Sequence, residues 1–330
     1  MPCRCRRLFP TITDSRTPVT PGLRDRWTHG VGGLCVLALI AFGASSDLVG
    51  QPAAPPHRIA GGMFEASGVV YVPGSDGVLF VDDAQTREVF WIELLSDGVQ
   101  KNPAVAVPLP GADVVDFEGM TTDGKYFYAV GSQSKNVGFD GDGLVRFTFD
   151  PATRKAGHIE SVRGLKRFLS RNVAELHGVE HRMGDEVLNI EGLAWDPRRA
   201  RLLLALRAPV AGSDALVVPL TIRDPKGPFA AENLTVEGKR AMRVPTGGAG
   251  LRSLEFDPLR NRFLLITGAA HNAENRDFRL YEWDGTEGSA LREVRSYRRK
   301  LKPEGITRAR IAGRDATVVV FDVSAYEVIR

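Results

Sequence analysis

The chain repeats itself. The segments "LAWDPRRARLLLAL" (193–206) and "LEFDPLRNRFLLIT" (254–267) agree at seven of fourteen positions. Both read as strand, Asp-Pro turn, strand, because proline fixes φ and aspartate bonds the turn backbone. "MTTDGKYFYAVG" (120–131) and "VVYVPGSDGVLFVDD" (69–83) have the same form around Asp-Gly, and "ITRARIAGRDATVVVFD" (306–322) is a fifth copy. Further strands of alternating character follow. "REVFWIEL", "GLVRFTFD", "ALVVPLTI" and "FRLYEWDG" take the third place; "PAVAVPL", "LTVEGKRAMRV" and "ALREVRSYRR" take the fourth. Units therefore begin near residues 67, 118, 191, 252 and 304, at steps of 51, 73, 61 and 52. Such steps fit four-stranded propeller blades, whose period is ~40–50 residues before loop insertions.

The predicted fold is thus all-β, a β-propeller of about five blades. The long step contains "ESVRGLKRFLSRNVAELHGVEH", whose spacing predicts a short helical insertion near 160–185. Six blades is the alternative if that insertion hides a degenerate one. A two-sheet sandwich would not need so regular a restart. The last unit is short of a strand, and "HRIAGG" (57–62) precedes the first. This N-terminal strand is expected to close the ring against the C-terminal blade.

Charge separates the start from the rest. Residues 1–45 carry Arg4, Arg6, Arg7, Arg16, Arg24 and Arg26 against Asp14 and Asp25, and the remainder holds 37 basic to 38 acidic residues. That balance gives no footprint for nucleic acid or a membrane surface. The basic start runs into "GVGGLCVLALIAFGASS", in the order of a secretory signal, with Gly43, Ala44 and Ser45 as a cleavage site. An uncleaved anchor is the rival, but the run is shorter than the ~20 apolar residues a span needs. Residues 1–45 are read as a signal peptide, 46–56 as a proline-rich linker and 57–330 as the propeller, exported to the periplasm or secreted, with no membrane span after cleavage. All three cysteines (Cys3, Cys5, Cys35) fall in the signal, so the mature chain would have no disulfide, thiol or cysteine metal chemistry.

Aligning the units fixes one position per blade: Ser67, Glu118, Glu191, Arg252 and Glu304. Glu255 falls three places later in its unit and is outside the set. In a propeller the innermost strands line the axis, so Glu118, Glu191 and Glu304 are expected to converge there. A neighbouring glycine would let blades approach where the ring is narrowest. Two carboxylates ~4 Å apart at an effective dielectric near 20 repel by about 4 kcal/mol. Three require a cation, protonation or an arginine. Ca²⁺ suits such a set, because it takes oxygen ligands in irregular geometry. Backbone or arginine pairing at a blade junction, and direct contact with substrate, remain the alternatives.

At these residues the chain resembles a known group. "DFEGM", "NIEGLAWDP", "LLLALRAP", "LRSLEFD", "FRLYEWDG" and "KPEGIT" are similar to the bacterial domain-of-unknown-function 3616 family, over roughly 60–325. That resemblance implies a β-propeller and no settled activity. More loosely, the Glu-Gly strand starts resemble esterase-like phytase and gluconolactonase propellers, whose axial acidic residues hold calcium. This chain departs from the pattern at Ser67 and Arg252.

Other features are weaker. "HGVEH" (His177, Glu180, His181) matches the H-x-x-E-H of inverted zinc peptidases, yet Gly178 weakens the helix such a site needs. An exposed turn is the better reading. Asp140 and Asp142 lie in "GSQSKNVGFDGDG" (131–143), which lacks the closing glutamate of a 12-residue calcium loop. Ser132, Ser134, Lys135 and Asn136 would still project from a blade end, and Ser67, Ser132, Lys135 and Asn136 are candidate substrate contacts. Arg207 and Arg252 could grip a phosphate or carboxylate, or pair with a channel glutamate. "RSYRRKLK" (295–302) reads as a solvated edge. No G-x-S-x-G elbow, P-loop or dinucleotide fingerprint occurs.

Two functional readings follow. One is a Ca²⁺-dependent hydrolase of a small anionic ester, lactone or phosphoester. In it Glu118, Glu191 and Glu304 hold the ion, Glu191 activates water, and Arg207 and Arg252 stabilise developing charge. The other is a non-catalytic scaffold, expected to be a monomer, that binds a small anion or a protein partner.

Overall fold

The computed structural model describes residues 55–135 and 141–330. The signal, most of the linker, all three cysteines, Asn136 and Asp140 lie outside the described residues. No helix among the described residues is long and apolar enough to cross a membrane.

Five antiparallel sheets follow one another along the chain, each with a strand order that runs outward from an inner strand. The inner strands are Ala66–Tyr71, Phe117–Thr122, Asn189–Asp196, Gly250–Asp257 and Pro303–Ile311, which define blades 1 to 5. Five blades, not six, is the outcome. Strand His57–Arg58 pairs with Ala325–Ile329 and supplies the outermost strand of blade 5, so the two ends of the propeller share a sheet. In blade 3 the expected fourth strand is broken. Leu234–Val236 and Met242–Val244 each pair with a different half of Ala215–Ile222.

The insertion is shorter than the sequence suggests. Residues 160–163 still belong to the outer strand of blade 2, Lys155–Arg163. The helix is Leu165–Asn172, followed by two 3-10 turns. Leu165 and Leu169 are fully buried beside Val162, Leu176 and Leu188, so the insertion caps the junction of blades 2 and 3. Each blade junction holds one apolar cluster among the described residues, and the alternating strands supply both sides of it. The turns read from sequence form as expected: Asp196 accepts from the Arg198 backbone N–H, and Asp257 from that of Leu259.

One irregularity recurs at the top of every inner strand. The pairing register of each skips a residue: Glu118 in blade 2, Glu191 in blade 3, Arg252 in blade 4, Glu304 in blade 5, and Ser67 with Gly68 in blade 1. A β-bulge leaves its extra residue unpaired and re-aims the side chain. The bulged side chain turns inward, and the glycine after it abuts the next blade. A Cβ on Gly192 would lie 3.0 Å from the Leu254 backbone nitrogen, and one on Gly305 only 2.1 Å from the Ser67 carbonyl oxygen. In blade 4 Ser253 takes the glycine's place, and its hydroxyl accepts the Ile306 backbone N–H at 3.1 Å.

The Gly305→Ala variant is therefore expected to lose about 3 kcal/mol, since the clash is with backbone and cannot rotate away. Thermal melting should show a drop of several degrees. Gly157→Ala, whose Cβ would meet only the Thr148 hydroxyl, should melt close to the wild type. Equal melting of the two variants would contradict the close approach of the blades.

Candidate functional site

The bulges bring Ser67, Glu118, Glu191, Arg252 and Glu304 onto one cavity of about 640 Å³. Glu191 is its centre of charge. One oxygen of Glu191 accepts from Arg207 Nη1 at 3.0 Å and from Asn189 Nδ2 at 3.0 Å; the other accepts from Arg252 Nη1 at 2.8 Å. The same Arg252 nitrogen lies 3.3 Å from both oxygens of Glu304. Blades 3, 4 and 5 are thus joined by a Glu–Arg–Glu net. The Ala269 carbonyl accepts from Arg207 Nε and Arg252 Nη2, and Asn272 accepts from Arg207 Nη2. Burial works against the charge of Arg252, but Glu191, Glu304 and Glu118 outweigh it and hold the guanidinium above its usual range.

A second group lies on the side of blades 1 and 2. Asp83, Asp116 and Glu118 each place a carboxylate oxygen within 4.8 Å of the others. Asp83 follows the second strand of blade 1, and Asp116 precedes the bulge that carries Glu118. Asp83 and Glu118 face the cavity, whereas Asp116 is buried behind them. Asp116 has φ 62°, a left-handed conformation that aspartate tolerates better than most residues. Its carboxylate accepts from Ser132 Oγ and the Lys135 ammonium.

This crowding resists full ionisation. Burial, then Glu191, Asp116, Glu304 and Asp83, push the Glu118 carboxyl well above the usual carboxylate range. Burial and the neighbouring Glu65 raise Asp83 to about 8. Burial raises Glu304 to about 7 even though Arg252 opposes the shift. Only oxygen donors are present in the acidic group, a set suited to a hard divalent ion such as Ca²⁺ or Mg²⁺ and not to a soft one. The buried Asp/Asp/Glu group could hold a metal ion.

The expected residues divide between these two groups. Glu118, Glu191 and Glu304 all line the cavity, but Glu191 and Glu304 are engaged by Arg252, and the compact carboxylate set is Glu118 with Asp83 and Asp116. Ser67 lies buried in the cavity wall. Ser132 and Lys135 act on Asp116 from behind. Asp83 and Asp116 escape the repeat alignment because neither occupies its shared position. "VDFEG" does place Asp116 two residues before Glu118, and that was the available signal. The "HGVEH" residues form 3-10 turns, with Glu180 beside His181 and Arg171, and no metal-ligand group among the described residues includes them. "RSYRRKLK" is more than an edge: strand Arg292–Tyr297 ends, and Arg299, Lys300 and Lys302 return to the cavity.

Residues 174–325 match the family described as a protein of unknown function (DUF3616). That stretch contains Glu191, Arg207, Arg252 and Glu304; Asp83, Asp116 and Glu118 lie before it. No curated protein matches the chain. Among solved structures, glutaminyl cyclase of Myxococcus xanthus is similar at 12% identity and TM-score 0.46, covering 84% of this chain and 95% of its own. The PQQ domain of pyranose dehydrogenase from Coprinopsis cinerea is similar at 11% and 0.45, covering 83% and 94%. The soluble aldose sugar dehydrogenase of Escherichia coli is similar at 10% and 0.44, covering 83% and 98%. Likenesses this distant say nothing of this chain's chemistry.

Glu255 lies one step down the channel, ~10 Å along the strand from Arg252. It accepts a hydrogen bond from Thr307 Oγ1 at 3.0 Å, and burial raises its carboxyl to about 8. The folded chain keeps a proton that the unfolded chain releases near pH 4.5. Stability should therefore fall as pH rises from about 4.5 to about 8. Urea unfolding across that range should show a shallower fall in Glu255→Gln, the two differing by a few kcal/mol at most, at ~1.4 kcal/mol per pKa unit. Parallel curves would contradict a protonated Glu255.

Proposed function

We propose that the axial cavity is a calcium-dependent hydrolytic site for a small anionic ester, lactone or phosphoester, working in an exported protein. The observation that carries this reading is that one cavity is lined both by Asp83 and Glu118, from the carboxylate group suited to a divalent cation, and by the guanidiniums of Arg207 and Arg252, which an anion would share with Glu191 and Glu304. Asp83, Asp116 and Glu118 would hold the ion, with the Lys135 ammonium leaving Asp116 to make way. Bound there, calcium would supply a Lewis acid that polarises the substrate oxygen.

The chain's own groups would do the rest. Arg207 and Arg252, held in place by Glu191 and the Ala269 carbonyl, would bind the anionic end of the substrate and steady charge developing on it. Glu191 was the expected base, but two arginines share its oxygens, which suits it to positioning them. Glu304, titrating at about 7, is matched to taking a proton at neutral pH. Water would attack the ester centre, giving its proton to Glu304. The alkoxide leaving group would then receive that proton as its bond breaks.

Calcium should raise the melting temperature of the purified protein and a chelator should lower it, and Asp116→Asn with Glu118→Gln should erase the response. Aryl phosphate, ester and lactone panels should show turnover that Glu304→Gln and Arg252→Ala each reduce at least a hundredfold, or ~2.7 kcal/mol of barrier. No response to calcium in the wild type would remove the metal from the reading; no turnover on any panel would remove the hydrolysis. A specific observation favours a second reading. The Glu191–Arg252–Glu304 net spans three blades, as a ring fastener would. A non-catalytic scaffold is then expected to lose stability in Arg252→Ala without any chemistry to lose.

A further inference from the structure

The cavity is walled unevenly. Its acidic side comes from blades 1 and 2, and another stretch of wall comes from the loop after Gly268 in blade 4 and the turn that leads into blade 5. That wall presents four cations, Arg276, Arg299, Lys300 and Lys302, against two carboxylates, Glu274 and Asp322. Arg276 pairs with Glu274 at 3.6 Å, and Lys302 pairs with Asp322. Arg299 and Lys300 have no ion pair among the described residues. Arg299 is nevertheless positioned: its backbone N–H donates to Asp277 at 3.0 Å and its Nη1 to Asn275 at 3.1 Å, so the two segments of the wall are stapled together.

The positive excess is local, since the chain beyond residue 45 is close to neutral. It also differs in kind from the floor. Arg207 is buried, Arg252 is nearly so, and both already pair with Glu191 or Glu304, whereas Arg299 and Lys300 are exposed at the rim. A single small anion gripped on the floor leaves the rim cations without a partner. A cavity of about 640 Å³ has room for more.

We propose that this wall is a second anion subsite, and that the ligand is a small molecule with an anionic group at each end. One end would be held by Arg207 and Arg252, the other by Arg299 and Lys300. This rests on the anion grip of the preceding section and adds the chemical class of ligand. Phe278 lies in the same wall beside Arg252, its ring 5.6 Å from the guanidinium, and offers an apolar face for the body of the molecule.

Calorimetric titration with glucose 6-phosphate and glucose 1,6-bisphosphate, equal except for one phosphate, tests this. The bisphosphate should bind at least tenfold more tightly. Arg299→Ala with Lys300→Ala should bring it within twofold of the monophosphate while shifting monophosphate binding less than twofold. Lys155→Ala with Lys226→Ala, which removes the same charge from exposed sites on blades 2 and 3, should preserve the preference. Equal binding of the two probes by the wild type would overturn the subsite. So would an equal loss for both probes in the rim variant, which would mean long-range steering, or the same loss in the control. If neither probe binds, the floor grip fails as well. A calcium response without any bisphosphate preference would leave the metal reading standing and remove only this one.

Discussion

An innermost strand that pairs regularly along its one hydrogen-bonded edge sends its side chains alternately to the two faces of the blade, not to the axis of the ring. The bulge at the top of each inner strand turns one toward it. Where the register skips, a residue is released from the ladder, and in four of the five blades that residue is Glu118, Glu191, Arg252 or Glu304. The glycine that follows carries no side chain because the neighbouring blade's backbone occupies that space. Glutamate and glycine thus stand together for two reasons that share one geometry: the first is aimed inward, and the second lets the ring close tightly enough for the inward groups to meet.

Meeting has an electrostatic cost, met differently around the ring. On the side of blades 3 to 5, Arg252 takes the place of a fourth glutamate and ties Glu191 to Glu304, with Arg207 reaching in from the second strand of blade 3. On the side of blades 1 and 2 there is no arginine in the cluster. Asp83 and Glu118 respond by holding their protons, and Asp116 by pairing with Lys135. The first half is self-neutralised and rigid, while the second retains an affinity for positive charge. That asymmetry leaves the cavity one acidic side that could hold a cation and another side whose carboxylates are already balanced by arginines.

Much of this was legible in the residues. The Asp-Pro and Asp-Gly turns recur with the strands around them, so about five blades and their inner strands follow from periodicity, with a sixth left open by the insertion; N-terminal closure follows from the missing strand of the last unit. The axial set follows from periodicity too, because each member stands at the same place in its repeat. Asp83 and Asp116 did not, since they approach from a second strand and from a pre-strand loop, and proximity across blades has no period. The pairing of Glu191 with Arg252 was open for the same reason: a shared rim position does not say which neighbour a long side chain will choose. Residues 299–302 look like a charged edge by composition, and only the path of the chain after Tyr297 turns them toward the axis.

An anomalous difference map from crystals grown with calcium would show whether bulged residues far apart in sequence gather around one axial cavity and whether a cation sits on its acidic side. The expected result is a single axial peak bounded by oxygens of Asp83, Asp116 and Glu118, with Glu191 and Glu304 still joined through Arg252. Regular pairing through residues 118, 191 and 304, with their carboxylates directed away from the axis, would contradict that gathering.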